Sequence, residues 1–363
     1  MCHLSGGTGG GTAYMKLEEI IKPLLSWYEE NKRDLPWRRE PTPYHVWVSE
    51  IMLQQTRVEA VKGYYERFLT ALPQIEDLAA CPENKLLKLW EGLGYYNRVK
   101  NMQKAAKEIV LKYGGELPAD YEEILELPGI GSYTAGAISS IAYGLKKPAV
   151  DGNVLRVLSR ITENGEDILK QSVKRRVEQE LEAVMPADRP GAFNQSLMEL
   201  GAVVCIPNGM AKCQVCPVQH LCSARAHGTV LEYPKKAAKK QRRIEEKTVL
   251  LIQNGQEYAV CRRPDKGLLA GLYEFPNMDG WLTEEEVIRA VEALKLMPLH
   301  IKHAGEAKHI FSHVEWHMKG YVVRVASTEK RAGNLLFIDK KESKGKYPIP
   351  SAFSAYRKYI EED

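Results

Sequence analysis

A chain of 363 residues is too long for one ordinary hydrophobic core and suits two domains. Its 51 Lys and Arg against 47 Asp and Glu leave a net charge of +4, too small by itself to mark a polyanion-binding protein. No run approaches the ~18 apolar residues of a membrane span, and MCHLSGGTGGGTAY lacks the regions of a signal peptide, so an intracellular, cytoplasmic protein with no membrane association is expected.

Residues 1–14 read as a disordered, glycine-rich tail. Over 15–228 apolar residues recur at three- and four-residue spacing between caps and short turns, which predicts a mainly helical domain. Within it, HVWVSEIMLQQTRVEAVKGYYERF, if helical, gathers Trp47, Ile51, Val58, Val61, Tyr65 and Phe68 on one face, with Glu50 at its edge. A carboxylate beside an apolar stripe is partly desolvated, and its pKa rises toward that of a general acid near neutral pH. The simpler reading, a glutamate on a solvated face, holds for Glu59 but is weakened for Glu50 by apolar residues on both sides.

LPGIGSYTAG, residues 127–136, places Gly129 and Gly131 for a tight turn between helices, with Tyr133 at its exit. The free amides of the following helix can bind a phosphate, although an ordinary helix–helix turn makes the same demand on sequence. Asp151 then precedes another helical run, DGNVLRVLSRI, where spacing alone favours an N-cap. CIPNGMAKCQVCPVQHLC sets Cys205, Cys213, Cys216 and Cys222 at gaps of seven, two and five residues, a pattern for metal ligation rather than disulfides. Zinc modules usually pair two CxxC knuckles and only one is present, so a 4Fe-4S cluster with one thiolate per iron suits the spacing better. Cys2, Cys81 and Cys261 stand alone.

The basic stretch 229–248 reads as a solvated linker whose lysines and arginines can also track a phosphate backbone. Residues 249–363 form a second, strand-containing domain, with strands expected over 249–260 and 321–325.

The LPGIG hairpin, an Asp about twenty residues later and a four-cysteine loop together resemble the helix-hairpin-helix family of DNA glycosylases with an iron-sulfur cluster. The resemblance implies that Gly129 and Gly131 clamp DNA backbone and that Asp151 acts at the sugar. Members that also cut the strand, of endonuclease III type, carry at the position of Tyr133 a lysine that forms a Schiff base; a phenol cannot. The chain therefore resembles the monofunctional adenine glycosylases of MutY type. WVSEIMLQQTRV looks like their catalytic helix, which makes Glu50 the acid that protonates a ring nitrogen of adenine, Asp151 the stabiliser of the sugar cation, Tyr133 a hydrogen-bond partner of Asp151 or the sugar, and Asn153 a neighbour of both. Trp37, Arg38, Leu53 and Glu199 match contacts to a flipped adenine, and Gln55, Leu93 and Tyr95 match a wedge that fills the gap; by pattern alone they read as polar helix or core residues.

GLLAGLYEFPN, residues 267–277, looks like the entrance to a Nudix domain, which makes the C-terminal part a smaller α+β Nudix-like domain. Aligning Gly280 and Glu286 to the Nudix box puts Leu294 and Lys295 where Arg and Glu belong, so nucleotide hydrolysis is not expected. Phe311, Ser312 and His313 match the loop that reads oxidised guanine in this family. The resemblance, from about residue 17 to the end, thus implies excision of adenine opposite 8-oxoguanine or guanine in double-stranded DNA, leaving an abasic site, by a monomer holding a 4Fe-4S cluster. One departure is the first cysteine gap of seven residues where the family usually has six, which bears on cluster stability. The competing expectations are a bifunctional endonuclease III-like glycosylase/lyase and a non-catalytic iron-sulfur DNA-binding protein.

Overall fold

The computed structural model describes residues 9–237, 241–326 and 329–361. They divide into two compact units, one holding residues 9–79 and 101–237, the other 80–100 with the C-terminal residues from 241.

The first unit is helical. Its opening helix, Gly9–Asn31, takes in residues 9–14 of the expected disordered tail, while residues 1–8 lie outside the described residues. What carries this helix is the buried stripe Leu17, Ile20 and Leu24, packed in one core with Val154, Leu158, Leu181, Phe193 and Leu197. The apolar burial outweighs the poor helix propensity of the glycines at its start. Helices Gly152–Thr162 and Pro190–Val203 complete that core, and helices Pro43–Leu53 and Ser132–Ile141 pack against each other.

The single helix expected around Glu50 is two helices, Pro43–Leu53 and Val58–Ala71. Gln55 adopts a left-handed backbone with φ 58°, which ends one helix before the other starts. The apolar spacing runs on because a four-residue turn nearly preserves the period. Trp47 and Ile51 are buried in the first helix, and Val61, Tyr65 and Phe68 in the second.

The second unit is built on an eight-stranded sheet of β1 Arg243–Asn254, β2 Glu257–Arg262, β3 Tyr273–Glu274, β4 Asn277–Asp279, β5 Pro298–Ile310, β6 Val314–Val325, β7 Arg331–Ala332 and β8 Leu335–Ile338. The order is β5-β6-β1-β2-β8-β7, with β3 on β2 and β4 on β1, and among the described residues only β1 and β6 pair in parallel. Val249 and Leu251 face one core, Leu250 and Ile252 another. Burial on both faces explains the unbroken VLLI run. Helix Glu284–Ala293 covers one face through Val287 and Val291, and helix Ser354–Glu361 the other through Tyr356 and Ile360. β1 starts within the stretch read as linker, because the charged residues Arg243, Glu245 and Glu246 pair with β6 despite their polarity. Glu286, aligned to the Nudix box, forms a capping box with Thr283 instead.

Candidate active site

A cavity of about 490 Å³ in the helical unit collects side chains from far along the chain. Its wall includes Trp37, Arg38, Glu50, Leu53, Gln55, Tyr133, Asp151, Asn153 and Glu199, all singled out from sequence. The size lies within the range of small-molecule sites.

Glu50 sits in the last half of helix Pro43–Leu53 and is 6 % exposed. Burial pushes its carboxyl up to about 7; the Tyr133 hydrogen bond opposes that rise, the Asp151 charge adds to it and Arg38 opposes it. Tyr133 Oη donates to Glu50 Oε2 at 2.5 Å. The expected partner was Asp151 or a sugar. As the second residue of helix Ser132–Ile141, the tyrosine reaches across to the helix of Glu50, against which its own helix packs. Burial and the charges of Glu50 and Asp151 hold the phenol well above its ordinary pKa, so it remains a donor.

Asp151 is both an N-cap and part of the cavity wall. Its Oδ1 accepts from the backbone N–H groups of Asn153 and Val154, each at 2.8 Å, and its Oδ2 accepts from Asn153 Nδ2 at 2.7 Å. Burial raises its pKa, and these hydrogen bonds with the nearby Arg156 charge pull it back in part. Asn153 is held in turn by Arg156, whose guanidinium donates to Asn153 Oδ1 at 2.9 Å, Gly201 O at 2.7 Å and Cys205 O at 2.9 Å.

Another part of the wall is an ion cluster. Glu199, 1 % exposed, accepts from Arg33 Nε at 2.6 Å and from Arg38 at 2.8 Å. Burial pushes the Glu199 carboxyl up, but the bonds from Arg33 and Arg38 outweigh it and hold the pKa below the ordinary value. Gln195 Oε1 accepts from Tyr28 Oη and Arg38 Nε, both at 3.1 Å. Sequence reasoning missed Arg33 and Gln195. Gln195 lies one helical turn before Glu199 on the same face, a signal that was available; Arg33 meets its partner across 166 residues, and no local pattern announces it.

Gly129 takes φ 79°, and a Cβ there would meet Asn101 Cβ at 2.6 Å, so the hairpin between helices Tyr121–Glu126 and Ser132–Ile141 requires glycine. Gly131 is the N-cap of the second helix, without a side-chain cap.

Cys205, Cys213, Cys216 and Cys222 line one pocket with Val157, Arg160 and Leu200. Arg160 donates to Cys205 Sγ at 3.2 Å. Burial pushes the Cys216 thiol up to about 12 and raises that of Cys222, so a metal would have to displace their protons. Among the described residues, no three His, Cys, Asp or Glu side chains are grouped to hold a metal ion. Four cysteine side chains lining one pocket are the donor set of a thiolate-bound metal group.

The remaining sequence candidates belong to the second unit. Tyr95, 48 % exposed, shares a cavity with Phe311, Ser312 and His313, whereas Leu93 is buried. The Phe311 ring packs edge-on between His309 and Trp316, with centroids at 4.6 and 4.9 Å, and leaves Ser312 and His313 exposed at the β5–β6 turn.

Residues 48–185 match the HhH-GPD superfamily base excision DNA repair protein family, and residues 248–359 match the NUDIX domain family. The chain is 37 % identical to the human adenine DNA glycosylase, over 80 % of this chain and 64 % of that one, so it spans just under two thirds of the human relative. It is 33 % identical to the adenine DNA glycosylase of Buchnera aphidicola subsp. Schizaphis graminum, over 84 % of this chain and 87 % of that one. A thermostable thymine-DNA glycosylase structure superposes with a TM-score of 0.54 at 29 % identity, over 59 % of this chain and 98 % of that one. With the helical hairpin domain and the C-terminal Nudix-like sheet both present, the chain belongs to the adenine DNA glycosylase family.

Proposed function

We propose that the protein excises adenine opposite 8-oxoguanine, or guanine, from double-stranded DNA by hydrolysis and leaves an abasic site. The observation that carries the reading is the buried Glu50, with a pKa of about 7, which lines one cavity with Asp151 and accepts a hydrogen bond from Tyr133. At neutral pH about half of such a carboxyl is protonated, which suits a general acid that delivers a proton to a ring nitrogen of adenine. As the glycosidic bond lengthens, the sugar becomes cationic, and the Asp151 carboxylate stabilises it, its orientation fixed by Asn153 and the helix start. Trp37 and Leu53 offer apolar contact to a purine, while Arg38 and Glu199 supply a fixed polar edge.

No lysine lines this cavity among the described residues, which supports hydrolysis over Schiff-base chemistry. Entry of the base costs a few kcal/mol in lost stacking and pairing. Gln55, Leu93 and Tyr95 would fill the gap, Gly129 and Gly131 would hold the backbone, and Phe311, Ser312 and His313 would read the opposite base. The four cysteines would hold a 4Fe-4S cluster that crosslinks the 205–222 loop and supplies structure rather than a step in hydrolysis. The protein would act as an intracellular monomer.

The test is Glu50→Gln, which keeps the side chain's size and an acceptor for Tyr133. The variant should bind the lesion duplex with unchanged affinity and lose excision by roughly 10²-fold or more. Near-normal turnover would remove Glu50 as the acid.

A further inference from the structure

Residues 80–100 belong to the same compact unit as the C-terminal sheet, and a small set of polar bonds stitches them to it. Lys88 Nζ donates to Ser343 O at 2.7 Å and Lys100 Nζ to Ala270 O at 3.1 Å. The most connected residue is Glu91, whose side chain is 12 % exposed. One carboxylate oxygen accepts from Ile349 N at 3.0 Å and from Arg357 at 3.1 Å, and the other pairs with Lys88 at 2.6 Å.

Glu91 directly precedes a loop with an unusual backbone. Gly92, Gly94 and Tyr95 take φ values of 102°, 70° and 47°, and a non-glycine residue in that region is strained. Trp90 Nε1 donates to Gly94 O at 3.0 Å, and Arg98 donates to Leu93 O and Gly94 O, each at 3.2 Å. The Arg98 guanidinium also lies over the rings of Trp90 and Tyr95, at 5.5 and 5.3 Å. The outcome is a half-exposed tyrosine held in the cavity that also contains Ser312, His313 and Ser351.

We propose that Glu91 is a positioning residue that fixes the Gly92–Tyr95 loop to the Ile349–Arg357 segment, so that the loop inserted as adenine leaves the stack and the loop that reads the opposite base are held as one body. This inference rests on the function proposed above. Neither Glu91 nor Arg357 lines the Glu50 cavity or the Tyr95 cavity, so the signature of the role is slower extrusion with binding retained.

The experiment places 2-aminopurine at the target position opposite 8-oxoguanine and follows its fluorescence rise on extrusion, with duplex affinity measured in parallel. Arg357→Ala and Glu91→Gln should slow the rise about tenfold, since small misplacements of a positioning element are costly, while affinity changes less than about threefold. Arg357→Lys, which keeps a cation beside Glu91 and Glu361, should recover most of the rate. An unchanged rise, or one that falls only as binding falls, overturns the proposal. Failure of the wild-type chain to release adenine would instead overturn the proposed function.

Discussion

Tyr133 and Glu50, 83 residues apart in sequence, share a hydrogen bond of 2.5 Å in which the phenol donates to the carboxylate. The bond stabilises the charged form of Glu50 and so limits the rise that burial imposes. Tyr133→Phe should let that pKa climb above about 7, and a group that acts as an acid is lost as pH rises through its pKa. The alkaline limb of the single-turnover rate profile, measured from about pH 6 to 9, should therefore move to higher pH. A limb that stays in place or moves down would separate Tyr133 from the acid.

Asp151 allows its structural and chemical roles to be pulled apart. Asn is as good an N-cap as Asp, so Asp151→Asn should change stability by less than about 0.5 kcal/mol, while Asp151→Ala should cost about 1 kcal/mol through the lost cap. Both should lose excision to a similar extent, because both remove the charge. Thermal melts beside excision rates check this, and an active Asp151→Asn would leave the residue a cap alone.

Glu50 also makes stability depend on pH. Its folded pKa of about 7 lies above the ordinary glutamate value of 4.5, so the folded state binds its proton more tightly than the unfolded state. The stabilisation from that proton is complete below about pH 4.5 and is lost as pH rises toward 7. Glu50→Gln should therefore be more stable than wild type at pH 8, by up to about 3 kcal/mol, with little difference at pH 4. Denaturant midpoints at the two pH values provide the check.

The cysteine loop gives a prediction independent of catalysis. The purified protein should contain about four irons and about four sulfides per chain, with visible absorbance, and Cys213→Ser should lose most of both and melt at lower temperature. One zinc per chain would contradict the cluster.

Much of the site could be read in the sequence because its parts are local. The LPGIG turn, Asp151 at a helix start, Glu50 among apolar neighbours and the four cysteines each carry a short-range signature. What escaped is long-range or depends on where helices end. The Tyr133–Glu50 bond depends on how two helices pack, and the Arg33–Glu199 pair spans 166 residues. The helix of Glu50 stops because Gln55 turns left-handed, which a glutamine does not advertise. The start of β1 within a charged stretch was equally hidden, since its pairing partner β6 lies far downstream. Nor does anything between 80 and 100 reveal that Glu91 binds Arg357, because each looks like an ordinary surface charge.

The most direct measurement is single-turnover incubation with a duplex containing adenine opposite 8-oxoguanine, analysed with and without alkali. Strand breaks that appear only after alkali are the predicted result, the mark of base removal without lyase chemistry. Breaks without alkali, or no abasic product from protein whose iron is intact, would contradict it.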